Sequence, residues 1–298
     1  MNPIARVRVP GSSANLGPGF DALALALELF VDVAAVPRVP GDARMKLGGA
    51  HSTGLADDDS NLIWQAFLAT FRKARCIHPD VQLIAGNEIP LGRGLGSSGA
   101  AAVAGVAVAN AVGALGMTAL DVLMTAAEVE GHPDNVAASA LGGLAVVAPP
   151  KQAISLAWPA QIAVVVASPE TQLATSKARA ALPGTYPRAD AVFNLQRATL
   201  LVAAAASGNA GALRTALEDR WHQPYRQQLV PGLGEALALD LPGLYGVALS
   251  GAGPSIIAFV DRANPGATKQ ALEQIYATLG ITGVVRELNV AAKGAESL

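Results

Sequence analysis

Apolar residues recur at every second position from Leu23 to Val33, through Leu25, Leu27, Leu29 and Val31, the period of a half-buried strand. Ala5 to Val9 alternates in the same way and predicts a short strand ahead of it. Between them, Pro10 to Asp21 (PGSSANLGPGFD) is too rich in Gly, Pro and Ser to be regular. It predicts a loop displaying Ser12, Ser13, Asn15 and Asp21, or else an ordinary hairpin connection held by Asx-type bonds. The period then turns helical over Ser60 to Ala74, where Leu62, Ile63, Ala66, Phe67 and Phe71 share one face and Asp59 or Ser60 can open the helix. Val81 to Ala85 predicts a strand. Ser98 to about Val112, nearly all Ala, Val and Gly, predicts a helix packed close to its neighbours. Thr118 to Asp121 reads as a capping box for a helix ending near Glu130, with Gly131 as its stop.

The pattern breaks at Pro149-Pro150, so two units are expected, residues 1–150 and 151–298. The second opens with a strand at Ile162 to Ala167 and helices near Thr171 to Leu182, Arg188 to Ala206 and Asn209 to Arg220. It continues with a helix over Leu233 to Leu239, strands at Tyr245 to Ser250 and Ser255 to Val260, a helix over Pro265 to Leu279 and a strand at Val284 to Asn289. That order predicts an antiparallel sheet covered by helices on one face.

Composition narrows the function. With 51% hydrophobic and 15% charged residues in 298, the chain can bury one large core or two moderate ones. A net charge of −2 supplies no basic field for nucleic acid or an anionic membrane, so any anion is bound by a local site. The single cysteine, Cys76, excludes an internal disulfide framework, fits a reducing cytosol and reads as a core thiol. The four histidines lack paired metal-ligand spacing. No apolar run follows a basic start and none approaches the ~20 residues of a membrane span, so a soluble cytoplasmic protein is expected.

The strongest chemical signal is Pro90 to Ala100 (PLGRGLGSSGA), three spaced glycines and two serines opening a helix. Such a stretch aims free backbone N–H groups and a helix N-terminus at an anion such as phosphate. No lysine follows the glycines, which excludes the lysine-bearing phosphate loop. Gly94 to Gly99 fits G-x-G-x-x-G, but Pro90 interrupts the approach and the following segment, Met117 to Glu130, reads as another helix, against a dinucleotide fingerprint. A glycine-rich turn without a ligand is the structural alternative. Glu130 to Asn135 gathers a carboxylate, an imidazole and an amide, although Pro133-Asp134-Asn135 is also a common helix opening. Ser250 to Ser255 (SGAGPS) reads equally well as a hairpin turn, and Gly48 to Asp59, with Gly49, Gly54 and three successive aspartates, either closes over a nucleotide or is a solvated connector, the plainer reading.

Taken together, the loops near residues 11–21, 90–100 and 250–255 resemble, in order and spacing, the three motifs of the GHMP small-molecule kinases. Pro90 to Ala100 is similar to their P-x-x-x-G-L-G-S-S-A-A, departing only at Gly99 for the usual Ala. The wording at Ser12 to Asp21, Glu130 to Asn135 and His222 to Arg226 (HQPYR) resembles the homoserine kinase branch, and the likeness runs from Val9 to the final strand. It implies an α+β, two-domain GHMP kinase fold, with an N-terminal domain like the second domain of ribosomal protein S5 and a ferredoxin-like C-terminal domain. The implied activity is ATP-dependent phosphorylation of the side-chain hydroxyl of L-homoserine in threonine biosynthesis, by a homodimer.

The resemblance also implies roles for residues. Pro90, Leu91, Gly92, Arg93, Gly94, Leu95, Gly96, Ser97, Ser98, Gly99 and Ala100 form the ATP loop. Ser98 and Glu130 hold Mg²⁺, with Glu128 a competing carboxylate aimed elsewhere on its helix. Asn15, Asp21, His132, Asn135, Thr175, Arg179 and Arg226 line the substrate pocket, the two arginines clamping the carboxylate and Asp21 facing the ammonium. Glu130, Ser98, Arg226 and Asn135 stand at the reacting centre. Asp134 lies near the point where mevalonate kinase-like relatives carry a base, but the branch is read as leaving the hydroxyl proton to the phosphate. Two other readings are a GHMP kinase for another small alcohol, mevalonate- or shikimate-like, and a non-catalytic nucleotide-binding regulator. The regulator predicts a lost metal ligand or a damaged loop, whereas Ser98, Glu130 and the glycines are all present.

Overall fold

A computed structural model describes residues 3–149 and 152–298, and the expected boundary at 150/151 lies outside them. The first elements are β1 (Ala5–Ala14), β2 (Leu23–Pro37), β3 (Met45–Gly48), α1 (Leu62–Ala74), β4 (Val81–Asn87) and α2 (Ser97–Gly113). Next come α3 (Ala119–Glu130), α4 (Pro133–Leu141), β5 (Leu144–Ala148), β6 (Gln152–Leu156) and β7 (Ile162–Pro169). Five short or long helices follow, α5 (Thr175–Ala180), α6 (Arg188–Ser207), α7 (Leu213–Ala216), α8 (Gln223–Arg226) and α9 (Leu233–Leu237). The chain closes with β8 (Leu244–Leu249), β9 (Ile256–Asp261), α10 (Gly266–Leu279), β10 (Gly283–Leu288) and β11 (Glu296–Ser297).

Two sheets result. The first runs β11-β1-β2-β4-β3, with β5 also on β2 and β6 on β5; the second is antiparallel, β10-β7-β9-β8. β1 goes beyond the expected strand into the glycine- and serine-rich stretch, because a register shift between Pro10 and Gly11 lets Gly11 to Ala14 pair with Leu27 to Ala24. Ser12 and Ser13 are consequently fully buried in strand, and the irregular part shrinks to residues 15–22. The expected helical face of α1 is found, but its cap is Asn61, whose side chain accepts from the Ile63 amide, and not Asp59 or Ser60. The Thr118–Asp121 capping box is present with both bonds, and Gly131 ends α3.

Two expectations are corrected. The second sheet is covered on both faces: β7 is buried along its whole length, so Leu233, Ala236 and Leu272 cover one side while Leu201, Ala204 and Leu213 pack the other into the large core. Cys76 is exposed, because Arg75 turns the chain out of α1 in a left-handed conformation. The helices expected near 171–182 and 209–220 are also shorter. Leu173 instead donates to the Gly92 carbonyl, and Asp219 takes the amides of Trp221, His222 and Gln223, starting a new turn.

Candidate active site

β4 delivers the chain to the glycine loop through Asn87, whose side chain accepts from the Ile89 amide at 3.0 Å and donates to its carbonyl at 2.9 Å. Gly92, Gly94 and Gly96 then take φ of +66°, +73° and +71°. At Gly94 a Cβ would run into the Ser250 carbonyl, and at Gly96 into Ser12 Oγ, so both positions need glycine for space as well as for conformation. The four consecutive carbonyls from Gly92 to Leu95 are each engaged from outside the loop. Gly92 accepts from the Leu173 amide (3.0 Å), Arg93 from Ser255 (3.2 Å) and Leu95 from Ser12 (3.1 Å), while Gly94 accepts from Ser250 Oγ (2.6 Å). The amide edge is thereby left to the cleft, and α2 begins there without a side-chain cap.

That edge opens on a cavity of about 130 Å³. Its walls include Pro90, Gly92 to Gly99 and all the expected substrate residues, Asn15, Asp21, His132, Asn135, Thr175, Arg179 and Arg226, together with Glu130 and Asp134. Leu91 faces a second cavity and Ala100 is buried in the core, so neither lines this one. Gly99, where the motif usually has Ala, brings α2 close to α4: a Cβ there would sit 3.0 Å from that of Asn135.

The charged groups are arranged by their neighbours. The Glu130 side chain is 8% exposed, and its Oε2 accepts from the His132 amide at 2.8 Å and lies 3.3 Å from His132 Nδ1. Glu128 pairs instead with Lys73 at 2.8 Å, outside the cleft. Arg226 is 2% exposed. Its Nε donates to the Ala178 carbonyl at 3.2 Å and its Nη1 to that of Gly251 at 3.2 Å, while Nη2 has no partner among the described residues. Arg179 is half-exposed and holds Asp21 at 2.8 and 3.0 Å, the carboxylate expected to meet an ammonium. Asn135 Oδ1 accepts from Ser12 Oγ at 3.0 Å. Asp134 is 3% exposed, and burial pushes its pKa up to about 6 despite the Asn135 amide that donates to it.

One residue of the cleft has no signal of its own in the sequence. Phe20 lies under both arginines, 5.5 Å from Arg179 and 5.4 Å from Arg226, with nothing but its place in the wording to mark it. Of the two readings of Gly48 to Asp59 the structure favours more than a connector, since Ser52 and Leu55 help Val31, Leu47, Leu62 and Ala85 line an apolar cavity of about 250 Å³. That cavity reaches Gly92, Ser97 and Ser98 from the other side of the loop. Leu55, the one large apolar residue between Gly48 and Ser60, was the available signal.

Comparison with known proteins shows the family and the fold. Residues 61–143 match the GHMP kinases N terminal domain and 201–279 the GHMP kinases C terminal domain. A homoserine kinase of Solibacter usitatus is 44% identical over 294 residues, covering 97% of this chain and 96% of that protein. One of Gloeobacter violaceus is 44% identical over 275 residues, 91% and 92% of the two chains. The crystal structure of a homoserine kinase from Cytophaga hutchinsonii superposes with a TM-score of 0.89 at 26% identity, covering 99% of this chain and 97% of that one. A mevalonate kinase structure, TM-score 0.71 at 11% identity over 97% and 99%, shares the fold.

Proposed function

The chain belongs to the GHMP kinases, on their homoserine kinase branch, and from that premise we propose how its cleft phosphorylates the side-chain hydroxyl of homoserine with ATP. One observation carries the reading. Three loops interlock so that a row of amides faces a cavity that two arginines and an aspartate also line. Amides and a helix N-terminus suit a triphosphate; arginines and a carboxylate at fixed spacing suit a zwitterion. The apolar cavity behind Gly92 takes the adenine.

Positioning and charge compensation are most of what phosphoryl transfer asks of a protein. The amides from Gly92 to Ser98 hold the phosphates. Arg226 clamps the substrate carboxylate with Nη2, which has no partner among the described residues, and Arg179 joins it. The Arg179–Asp21 pair opens at small cost, since both side chains are about 40% exposed and such a pair contributes only about 0.2–1 kcal/mol. A zwitterion replaces each partner by one of its own charges: ammonium on Asp21, carboxylate on Arg179. His132 and Thr175 complete the pocket wall. Asn135, held by Ser12, presents its amide N–H to the acceptor hydroxyl.

Ser98 Oγ and the Glu130 carboxylate fit Mg²⁺: both are hard oxygens lining the cavity beside the amides, and Glu130 Oε1 has no partner among the described residues. When bound, Mg²⁺ would offset the negative charge that develops during transfer. The hydroxyl proton goes to the phosphate and Asp134 is not required as a base. We also propose a homodimer, located in the cytoplasm, and a division into units near residue 150, on the resemblance alone; among the described residues no helix is long and apolar enough to cross a membrane.

A panel of alcohols assayed for ADP release tests the substrate assignment. Homoserine is expected to be turned over far better than mevalonate or shikimate, which lack an ammonium for Asp21. ATP binding without homoserine-dependent ADP release at millimolar Mg²⁺ would favour the regulator.

A further inference from the structure

His222 is completely buried and lies outside the polar cavity, yet it touches Arg226, which lines that cavity, and the turn that carries Asn15 and Asp21, which line it too. Its Nε2 is 2.7 Å from the Gly17 carbonyl and its Nδ1 3.4 Å from Nη1 of Arg226. A carbonyl only accepts and a guanidinium only donates, so the two partners dictate one ring form: Nε2 carries the proton and Nδ1 is bare. Asp219 does not claim the Nε2 proton. Its Oδ2, 3.5 Å from Nε2, already accepts from the amides of His222 and Gln223, and its Oδ1 from the Trp221 amide and Asn194 Nδ2. Burial keeps the ring neutral, against the pull of Asp219 and with the help of Arg226.

The contacts close into a circuit. Arg226 Nη1 and Asn15 Nδ2 donate to the same Gly251 carbonyl, at 3.2 and 2.9 Å. Asn15 begins the turn that contains Gly17, and Gly17 returns to His222. Gly17 is itself fixed, with φ +73° and no room for a Cβ against the Leu217 carbonyl. Phe20, further along the turn, rests 5.4 Å from the His222 ring.

We propose that His222 is a positioning residue that, as the neutral Nε2–H tautomer, sets the Arg226 guanidinium and the Asn15–Asp21 turn at one mutual spacing. The groups for the carboxylate and the ammonium then match a single amino-acid backbone. This rests on the reading of Arg226 as the carboxylate clamp.

Two substitutions separate the ring's bonds. In His222→Gln the amide can still donate to Gly17 but Arg226 loses its bond to the ring and keeps only the Ala178 and Gly251 carbonyls; in His222→Asn the oxygen can accept from Arg226 while the Gly17 bond is lost. His222→Gln is expected to raise the KM for homoserine about tenfold or more, the scale of a hydrogen bond to a charged group. Its KM for ATP should stay within about twofold. His222→Asn should show a smaller rise. With 3-aminopropan-1-ol, which has no carboxylate, kcat/KM of His222→Gln should equal that of the unsubstituted enzyme. A normal homoserine KM in His222→Gln, or equal losses on both alcohols, would overturn the proposal. Arg226→Ala is the control: if it too fails to distinguish the alcohols, the clamp reading has failed, whereas discrimination by Arg226→Ala but not by His222→Gln sinks this proposal alone. A ¹⁵N spectrum of the histidine rings in the unsubstituted protein needs no variant to fold. An Nε2–H ring with a bare Nδ1 at neutral pH is expected, and an Nδ1–H ring or an imidazolium contradicts the assignment.

Discussion

Replacing Asp134 by Asn separates stability from turnover at one buried position. Asp134 is 3% exposed, and burial raises its pKa from 3.8 to about 6. In the unfolded chain the group ionises near its ordinary value, so between the two values the folded protein holds the proton more tightly. Its contribution to stability is complete below about pH 3.8 and is lost as the pH climbs through about 6. A shift of roughly two units at about 1.4 kcal/mol per unit makes the ionised carboxylate a liability of about 3 kcal/mol at neutral pH, an upper figure because relaxation discounts it. Asparagine keeps the size and an acceptor for the Asn135 amide, now at 2.8 Å from Oδ1, without the charge. Asp134→Asn should therefore unfold at higher temperature than the unsubstituted protein at about pH 7.5, by several degrees at roughly 2–4 °C per kcal/mol. The difference should vanish near about pH 4. ADP release measured on the same samples should keep substantial turnover. Equal melting at both pH values would refute the burial argument, and near-complete loss of kcat with melting intact would make Asp134 the base.

Other perturbations address other parts of the cleft. Glu130→Gln and Arg226→Ala should each lower kcat/KM at least ~100-fold, on the scale of ~3 kcal/mol, in steady-state assays at saturating Mg²⁺. Gly94→Ala forces an alanine into a left-handed conformation against the Ser250 carbonyl; about 1–2 kcal/mol of backbone strain plus that contact should abolish calorimetric binding of a non-hydrolysable ATP analogue, and wild-type binding would refute the fit. Leu55→Ala should raise the KM for ATP by about tenfold, up to 1–3 kcal/mol of apolar contact, with the homoserine KM unchanged; no change would remove the adenine from that cavity.

Much of this was legible in the chain because local rules and the fold agree. The Thr118–Asp121 box, the Gly131 stop and the Leu23–Val33 alternation are local signals, and each element formed where its signal lies. What was hidden depends on partners distant in sequence. β1 runs through Gly11 to Ala14 only because β2 supplies a ladder on the far side of a register shift. Helices cover both faces of the second sheet, and here the unbroken apolar runs Ile162 to Ala167 and Ile256 to Val260 carry the signal of burial on both faces. Arg179 was legible as an arginine in a motif but its pairing with Asp21 was not, since 158 residues separate them. Leu55 and His222 act through cavities and contacts assembled by tertiary structure.

The central claim is that one cleft grips a triphosphate at the glycine-exposed amides and an amino acid's carboxylate at the two arginines that line the same cavity. A crystal structure with homoserine and a non-hydrolysable ATP analogue tests it most directly. The account predicts phosphate oxygens on the amides of Gly92 to Ser98, the homoserine carboxylate on Arg226 and Arg179, and the Arg179–Asp21 pair opened. Phosphates bound elsewhere, or a carboxylate remote from both arginines, would contradict it.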